Sequence, residues 1–335
     1  MPLLTVAVPT LNGASFIRET LTSVISQITD DLEVEIVIME NNSTDQTKEI
    51  CREFEEKYPF IRSVYAQSTV PFDQNVARAV HESSGTYVWI LADDDVLVPG
   101  SLRRVHQSLK DLYPAVLLVN FEKVGEDLSV LDKDGEENET EAGSSSIKVF
   151  EKAEDALTGA SFDIFGLLSA IVVNREKYLE YGSKVDFGLP EGFDFLYIIP
   201  RLMQTGTTAF LDDRLVLFRQ YKKRWETAPD YSQSMNIFFL VIPSILHQLG
   251  KDGFKAKLVS SLQRRHLANL TFHLILASRS GMEYRGSFLR KLVAVNYRNP
   301  VFWIQVPVFF LPKFLLERLR FIYKGEVAGF LRSLI

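Results

Sequence analysis

The stretch WILADDDVLVPG, residues 89–100, places three consecutive carboxylates directly after an apolar run and closes them with a Pro-Gly turn. Apolar runs of this kind are typical of buried strands, and like charges crowded at a strand end repel one another. If the strand continued through the triplet, Asp93 and Asp95 would face one side and Asp94 the other. Asp93 and Asp95 would then hold Mg²⁺ or Mn²⁺, which prefer oxygen ligands. The alternative is a solvated turn whose aspartates cap a helix that begins near Ser101.

The residues before the triplet alternate apolar runs with helical patterns. Ile17, Leu21, Val24 and Ile25 recur at helical spacing, and Ser43 followed by Gln46 resembles a capping box for a second helix. Four apolar runs are predicted to be strands: LLTVAV (3–8), VEIVIM (34–39), IRSVYA (61–66) and TYVWILA (86–92). Strands separated by helices of about ten residues indicate an α/β fold with a mostly parallel sheet flanked by helices.

Polar side chains follow three of the predicted strands. The segments are PTLN after the first strand, ENNSTD after the second and ADDD after the fourth. Parallel sheets bind ligands in the crevice outside the carboxyl ends of their strands, so these segments predict a binding site.

Composition excludes several classes of protein. The formal charge of −6 argues against nucleic acid as the main partner, and the single cysteine, Cys51, excludes an internal disulfide framework. The start of the chain shows no signal peptide pattern, and no apolar stretch reaches the roughly 20 residues that span a bilayer. We found no glycine-rich nucleotide fingerprint of the G-x-G-x-x-G or P-loop kind.

The rest of the chain changes character twice. Residues 125–146 are polar and acidic, which predicts a mobile loop at about 123–148. From residue 231 the pattern is helical, and after residue 291 it is aromatic and basic. We therefore expect one α/β domain, which carries the predicted binding site, over residues 1–225 and a helical carboxyl-terminal extension over residues 226–335. The aromatic and basic end favours a monotopic membrane contact over an ordinary packed helix pair.

Three segments, in their order and spacing, resemble the inverting family 2 glycosyltransferases of GT-A fold. They are VAVPTLNGASFIRETLTSVISQ (6–27), VEIVIMENNSTDQT (34–47) and GTYVWILADDDVLVPGSL (85–102). PFDQN (71–75) is similar to the abequosyltransferase-like branch of O-antigen and surface-glycan enzymes. The resemblance covers residues 3–118 well and residues 169–219 more faintly.

The resemblance implies a set of residues that contact the donor nucleotide. Glu40 stands where the family has an aspartate that hydrogen-bonds the base, a departure that leaves the base open, with uridine diphosphate favoured. For Asp73 a plain helix cap is an equal alternative. The implied contacts are Pro9, Thr10, Leu11, Asn12, Glu40, Asn41, Asp73, Asn75, Asp93, Asp94 and Arg219.

The resemblance also implies metal ligands and a catalytic base. The family's Asp-x-Asp fits Asp93 and Asp95, with Asp95 as the main ligand of Mg²⁺ or Mn²⁺, whereas Ala92 stands where many members have a further aspartate. Asp194 matches the catalytic base, and Glu191 is its rival. Arg219 would pair with the diphosphate or with an acidic neighbour.

The resemblance implies transfer of a sugar from a nucleoside-diphosphate sugar to a glycan or polyprenyl-diphosphate-linked acceptor in bacterial surface polysaccharide synthesis. Such an enzyme would work in the cytoplasm at the inner face of the cell membrane. The sequence leaves open whether the chain forms a homo-oligomer. The alternatives are a sugar-nucleotide nucleotidyltransferase, a glycosidase with paired carboxylates and a non-catalytic nucleotide-sugar-binding scaffold.

Overall fold

The computed structural model describes residues 1–130, 146–159, 167–182, 194–220 and 242–263, together with residues 293 and 303. Chain contacts divide the protein into two compact units. The first unit comprises Met1–Phe187 and Glu191–Tyr221, and the second comprises Gly188–Pro190 and Lys222–Ile335.

Four strands near the start of the chain form the parallel part of a nine-stranded sheet. They are β1 (Leu4–Thr10), β2 (Val34–Glu40), β3 (Ile61–Tyr65) and β4 (Tyr87–Ile90). They lie in the order β3-β2-β1-β4, and every neighbouring pair is parallel. All seven residues of β1 are buried, which explains why its sequence is continuously apolar rather than alternating. The four strands predicted from the sequence are confirmed.

Helices connect these strands and cover the sheet. They are α1 (Ile17–Ile25), α2 (Thr47–Lys57), α3 (Phe72–Glu82) and α4 (Ser101–Leu112). The predicted capping box at Ser43 is wrong, because Asp45 Oδ1 accepts the Thr47 N–H at 3.0 Å. The Ser43 hydroxyl instead accepts the Asn12 N–H at 2.9 Å, so it ties the loop after β2 to the loop after β1.

The rest of the sheet is mixed. Its strands are β5 (Val96–Leu97), β6 (Val116–Val124), β7 (Ile147–Phe150), β8 (Ile171–Asn174) and β9 (Thr208–Arg219). The order continues from β4 as β8-β6-β9-β5, and β7 pairs with β9. β8 is antiparallel to both β4 and β6, whereas β6 and β9 are parallel. Because β8 enters the sheet beside the carboxyl end of β4, the residues just before β8 meet the acidic triplet.

Three further helices belong to this part of the chain: α5 (Ala153–Gly159), α6 (Arg175–Gly182) and α7 (Asp194–Met203). The start of the predicted polar loop is ordered, because Gly125 N donates to Ser129 O at 2.7 Å and Val124 bridges Val130. Residues 131–145 of that loop lie outside the described residues.

The second unit is described in part. It contains α8 (Ile242–Lys251) and a helical segment at residues 256–263. Trp303 is helical and 48% exposed, and the other aromatic residues predicted to contact a membrane lie outside the described residues. In the described part of the chain, no helix is long and apolar enough to cross a membrane.

Candidate active site

The acidic triplet lies in a turn beyond the end of β4. The strand ends at Ile90, and Asp95 N donates to Ala92 O at 3.3 Å, which closes the turn. The predicted strand alternation through the triplet is therefore wrong, since a turn does not place alternate side chains on one face. The neighbouring residues, not the strand period, decide where each carboxylate points.

Asp93 faces β1. Its Oδ2 accepts the Thr10 hydroxyl at 2.6 Å, and its carbonyl accepts the Thr20 hydroxyl at 3.0 Å. A Cβ added at Gly13 would lie 2.2 Å from the same Oδ2. The loop after β1 thus packs so closely on this carboxylate that a larger residue at position 13 would have to displace the Asp93 or Thr10 side chain.

Asp95 faces the opposite neighbour in the sheet. Its Oδ2 accepts the Ser169 hydroxyl at 2.5 Å, and its Oδ1 accepts the Arg219 backbone N–H at 3.0 Å. Burial raises the pKa of the Asp95 carboxyl to about 8, with further contributions from the charges of Asp94 and Asp93. Asp95 has no exposed surface and Asp93 is 6% exposed. Asp94 is the most accessible of the three aspartates.

Ser169 is a site residue that the sequence analysis missed. It is fully buried in a 3₁₀ turn, Leu168–Ala170, directly before β8. Its Oγ accepts the Ala92 N–H at 2.9 Å while it donates to Asp95, and its carbonyl accepts the Trp89 indole N–H at 2.8 Å. The one available signal was an isolated hydroxyl inside the apolar run LLSAIVV (167–173).

Arg219 fastens the acidic turn from the end of β9. Its Nε donates to Asp94 O at 2.8 Å, and its Nη2 pairs with Glu19 at 2.5 Å. Its Nη1 donates to the Glu126 carbonyl, and the guanidinium lies 4.6 Å from the centre of the Phe16 ring. The predicted pairing with an acidic neighbour is thus present in the structure, and the predicted diphosphate contact stays a prediction.

The loops after β1 and β2 are joined at the same edge of the sheet. Asn12 adopts a left-handed backbone with φ of 54°, and its Oδ1 accepts the Thr44 N–H at 2.8 Å. Glu40 is fully buried, and its two carboxylate oxygens accept the N–H groups of Ser43 at 2.5 Å and Asn42 at 3.1 Å. Pro9 and Thr10 are buried at the end of β1, and Leu11 is half-buried.

The segment before α3 is tied to the end of β2. The side-chain amide of Asn41 donates to Val70 O and accepts from Val70 N, both at 2.9 Å. Asn75 Nδ2 donates to Met39 O at 3.1 Å. Asn41 and Asn75 therefore attach the segment before α3, and the first turn of α3, to the end of β2 at the predicted nucleotide site. Asp73 lies in that first turn.

The two predicted base candidates lie at the limit of the described structure. Asp194 is the first residue of α7, and its side chain lies outside the described residues, as does all of Glu191. Their roles stay predictions.

The carboxylate oxygens of the acidic turn are candidate ligands for a divalent cation. Within the described residues, no three His, Cys, Asp or Glu side chains are grouped to hold a metal ion. Burial raises the pKa of Asp95, and the charges of Asp94 and Asp93 add to this effect, so a nearby positive charge would favour the ionised carboxylate. Mg²⁺ is commonly held by one or two carboxylates, with substrate phosphates and water as the other ligands. The oxygen donors of the turn fit that mode.

Residues 5–163 match the model of a family described as glycosyl transferase family 2. This part of the chain, 159 of its 335 residues, is similar to a family 2 glycosyltransferase domain. The match begins in β1 and runs past α5, so the domain includes the acidic triplet and the loops after β1, β2 and β3.

Two curated relatives are each 31% identical to this chain. One is abequosyltransferase RfbV of Salmonella typhimurium, over 128 residues that make up 38% of each chain. The other is a GalNAc(5)-diNAcBac-PP-undecaprenol beta-1,3-glucosyltransferase of Campylobacter jejuni, over 121 residues, or 35% of this chain and 37% of the relative. The alignments thus span less than two-fifths of either relative.

A solved structure of S. aureus TarS residues 1–349 is similar in fold, with a TM-score of 0.61 at 14% identity. The superposition covers 95% of this chain and 91% of that chain. TarS has also been solved in complex with UDP-GlcNAc and with UDP. The GT-A fold predicted from the sequence is confirmed.

Proposed function

We propose that the protein is an inverting glycosyltransferase that transfers a sugar from a UDP-sugar to a hydroxyl group of a surface-glycan acceptor. The family 2 domain and the fold shared with TarS support this proposal. A nucleotide-sugar donor is further supported by the TarS complexes with UDP and UDP-GlcNAc. We take the donor pocket to be the sheet edge formed by the loops after β1, β2 and β3.

The observation that carries the proposal is the buried acidic turn. Asp95 is fully buried and its pKa is raised to about 8, with Asp93 and Asp94 as acidic neighbours. Asp93 and Asp95 would hold Mg²⁺ or Mn²⁺, with Asp94 beside them. A bound divalent cation would neutralise the negative charge that develops on the departing diphosphate. Thr10, at the end of β1, and Ser169, in the turn before β8, contact the two carboxylates from opposite sides.

Transfer with inversion needs a base for the acceptor hydroxyl. In the proposed step the acceptor oxygen bonds to the anomeric carbon, and the bond from that carbon to the diphosphate oxygen breaks with its electron pair on the diphosphate. We assign Asp194 as the residue that accepts the acceptor proton, with Glu191 as the alternative. Asp194 is the first residue of α7.

The acceptor is proposed by class. The Campylobacter relative bears a name that includes an undecaprenol diphosphate-linked glycan, and a Bacillus subtilis relative is named for teichuronic acid biosynthesis. We propose a glycan or polyprenyl-diphosphate-linked acceptor, reached at the cytoplasmic face of the membrane through the aromatic and basic end of the chain.

The proposed function is tested by release of nucleoside diphosphate from a panel of nucleotide sugars. We expect slow, Mn²⁺-dependent hydrolysis of a UDP-sugar by the wild-type chain without acceptor. Asp95→Asn, which keeps the volume and removes the charge, should abolish this hydrolysis. Asp111→Asn, an exposed aspartate in α4, is the matched control and should leave it unchanged. Metal-independent release, or full activity of Asp95→Asn, would contradict the proposal.

A further inference from the structure

The acidic turn depends on neighbouring elements for its shape. The hydrogen bond that closes it, from Asp95 N to Ala92 O, is 3.3 Å long, beyond the usual range of about 2.7–3.2 Å for an N–H···O bond. Burial raises the pKa of Asp95, and the charges of Asp94 and Asp93 raise it further, so the ionised side chains repel one another. A weak closing bond does not hold such a turn by itself.

One edge of α1 contacts the chain from the acidic turn to the start of α4. Three polar side chains, three and four residues apart and therefore on one side of the helix, form this edge: Thr20, Ser23 and Gln27. The Thr20 hydroxyl donates to Asp93 O at 3.0 Å. The Ser23 hydroxyl accepts the Leu97 N–H at 3.1 Å. Gln27 Oε1 accepts the N–H of residue 102, in the first turn of α4, at 3.2 Å.

The same side chains are also bonded to the backbone of α1. Ser23 Oγ donates to Thr20 O at 2.7 Å, and Gln27 Nε2 donates to Ser23 O at 2.8 Å. Ser23 and Gln27 thus each bond the helix with one contact and the segment after the acidic turn with another. These paired contacts fix the distance between α1 and that segment.

Two successive residues of α1 hold two successive carbonyls of the turn. Thr20 bonds to the Asp93 carbonyl directly, and it is fully buried, so water does not compete for the bond. Glu19 pairs with Arg219, which in turn donates to Asp94 O at 2.8 Å. α1 therefore acts on the backbone of the acidic turn rather than on its carboxylates.

We propose that Thr20 is a positioning residue for the metal ion, because it holds the backbone of Asp93 and so keeps the turn in the shape that presents its carboxylates to a cation. This inference rests on the proposed function, since it takes the acidic turn to be the site of Mg²⁺ or Mn²⁺. Loss of a group that orients metal ligands without touching the metal lowers metal affinity about 10–100-fold. Nucleotide binding that does not involve the metal should be spared.

The test uses Thr20→Val, which keeps the branched shape of the side chain and removes its hydroxyl. Binding of Mn²⁺ in the presence of UDP is measured by electron paramagnetic resonance, and binding of UDP in EDTA is measured by ligand-observed NMR. We expect Thr20→Val to weaken Mn²⁺ binding about tenfold or more and to leave the affinity for UDP in EDTA unchanged. Thr20→Ser, which restores the hydroxyl, should recover the affinity for Mn²⁺.

Two further variants make the result specific. Thr22→Val is the matched control, because Thr22 is exposed on the same helix and its hydroxyl donates within α1, to Arg18 O at 2.7 Å. This control should bind Mn²⁺ as the wild-type chain does. Ser23→Ala removes the next contact of the same edge and should also weaken Mn²⁺ binding, which covers poor folding of Thr20→Val.

Wild-type affinity for Mn²⁺ in Thr20→Val, or in Ser23→Ala if only that variant folds, would overturn the inference. Equal losses of Mn²⁺ affinity and of UDP affinity in EDTA would also overturn it, because they indicate general damage to the site. So would a Thr20→Ser variant that binds Mn²⁺ no better than Thr20→Val, or a Thr22→Val variant that binds it as weakly. If the wild-type chain itself binds no Mn²⁺ in the presence of UDP, the proposed function fails, and the inference fails with it.

Discussion

Replacing Ser169 with alanine tests how the acidic turn is held. Its hydroxyl donates to Asp95 Oδ2 at 2.5 Å and accepts the Ala92 N–H at 2.9 Å, with no exposed surface. The substitution removes one hydrogen bond to a buried carboxylate and leaves the partly buried Ala92 N–H without its acceptor. Each loss costs about 1–3 kcal/mol, and because the two are coupled we expect Ser169→Ala to destabilise the fold by about 3 kcal/mol.

The functional consequence follows from the same contact. The hydrogen bond from Ser169 lowers the pKa of Asp95, in opposition to the raising effect of burial. Without it the carboxyl holds its proton to still higher pH, and a proton competes with a metal ion for the same oxygens. Mn²⁺-dependent UDP binding by Ser169→Ala should therefore need a higher pH than binding by the wild-type chain.

The assays are urea denaturation and a pH series of calorimetric titrations. Ser108→Ala is the matched control, because Ser108 is equally buried and its hydroxyl donates to a backbone carbonyl within α4, that of Arg104, at 2.9 Å. We expect this control to lose about 1 kcal/mol and to keep the wild-type pH dependence. Equal destabilisation by the two substitutions, with an unshifted pH profile for Ser169→Ala, would refute the reasoning.

Three further predictions concern the same turn. Gly13→Ala should weaken Mn²⁺-dependent UDP binding at least about tenfold in calorimetry. The new Cβ would lie 2.2 Å from Asp93 Oδ2 and would displace that carboxylate. Unchanged affinity would be inconsistent with this packing. Arg219→Met should cost about 2 kcal/mol in urea denaturation, since it removes the donors to the partly buried carbonyls of Asp94 and Glu126, and a loss below about 0.5 kcal/mol would contradict that role. The pKa of Asp95 is raised from its usual 3.8 to about 8, so between these values the folded chain keeps a proton that the unfolded chain has released. In EDTA, the free energy of unfolding should therefore fall as pH rises from about 5 to about 8, with Asp95 contributing at most about 1.4 kcal/mol per pH unit, and Asp95→Asn should lack this contribution.

The parallel half of the fold was predictable because its signals are local. The strands β1, β2 and β4 are buried almost throughout, whereas β3 is only partly buried, and the helices between these strands carry a clear apolar stripe. Parallel order then brings the segments after β1, β2 and β4 to one edge. The polar residues at Thr10, Glu40 and Asp93 were located in this way.

The contacts that orient the site were not predictable, because they join distant parts of the chain. Ser169 meets Asp95 only because β8 pairs with β4, and Arg219 reaches the turn only because β9 ends beside it. The side-chain alternation of a strand predicted the wrong orientation for the three aspartates, because β4 ends at Ile90 and the following turn redirects each side chain. Similarly, the sequence pattern does not predict that both carboxylate oxygens of Glu40 accept hydrogen bonds from the backbone of the loop that follows it.

Electron paramagnetic resonance of Mn²⁺ tests the central claim most directly, since the free ion gives a strong signal that binding broadens. The chain is titrated with Mn²⁺ in the presence and absence of UDP. The account predicts that wild-type protein with UDP removes one equivalent of free Mn²⁺ per chain, that protein alone removes much less, and that Asp95→Asn with UDP does no better than UDP alone. Loss of one equivalent in Asp95→Asn, or no UDP-dependent loss in the wild-type chain, would contradict the assignment of the acidic turn as the metal and diphosphate site.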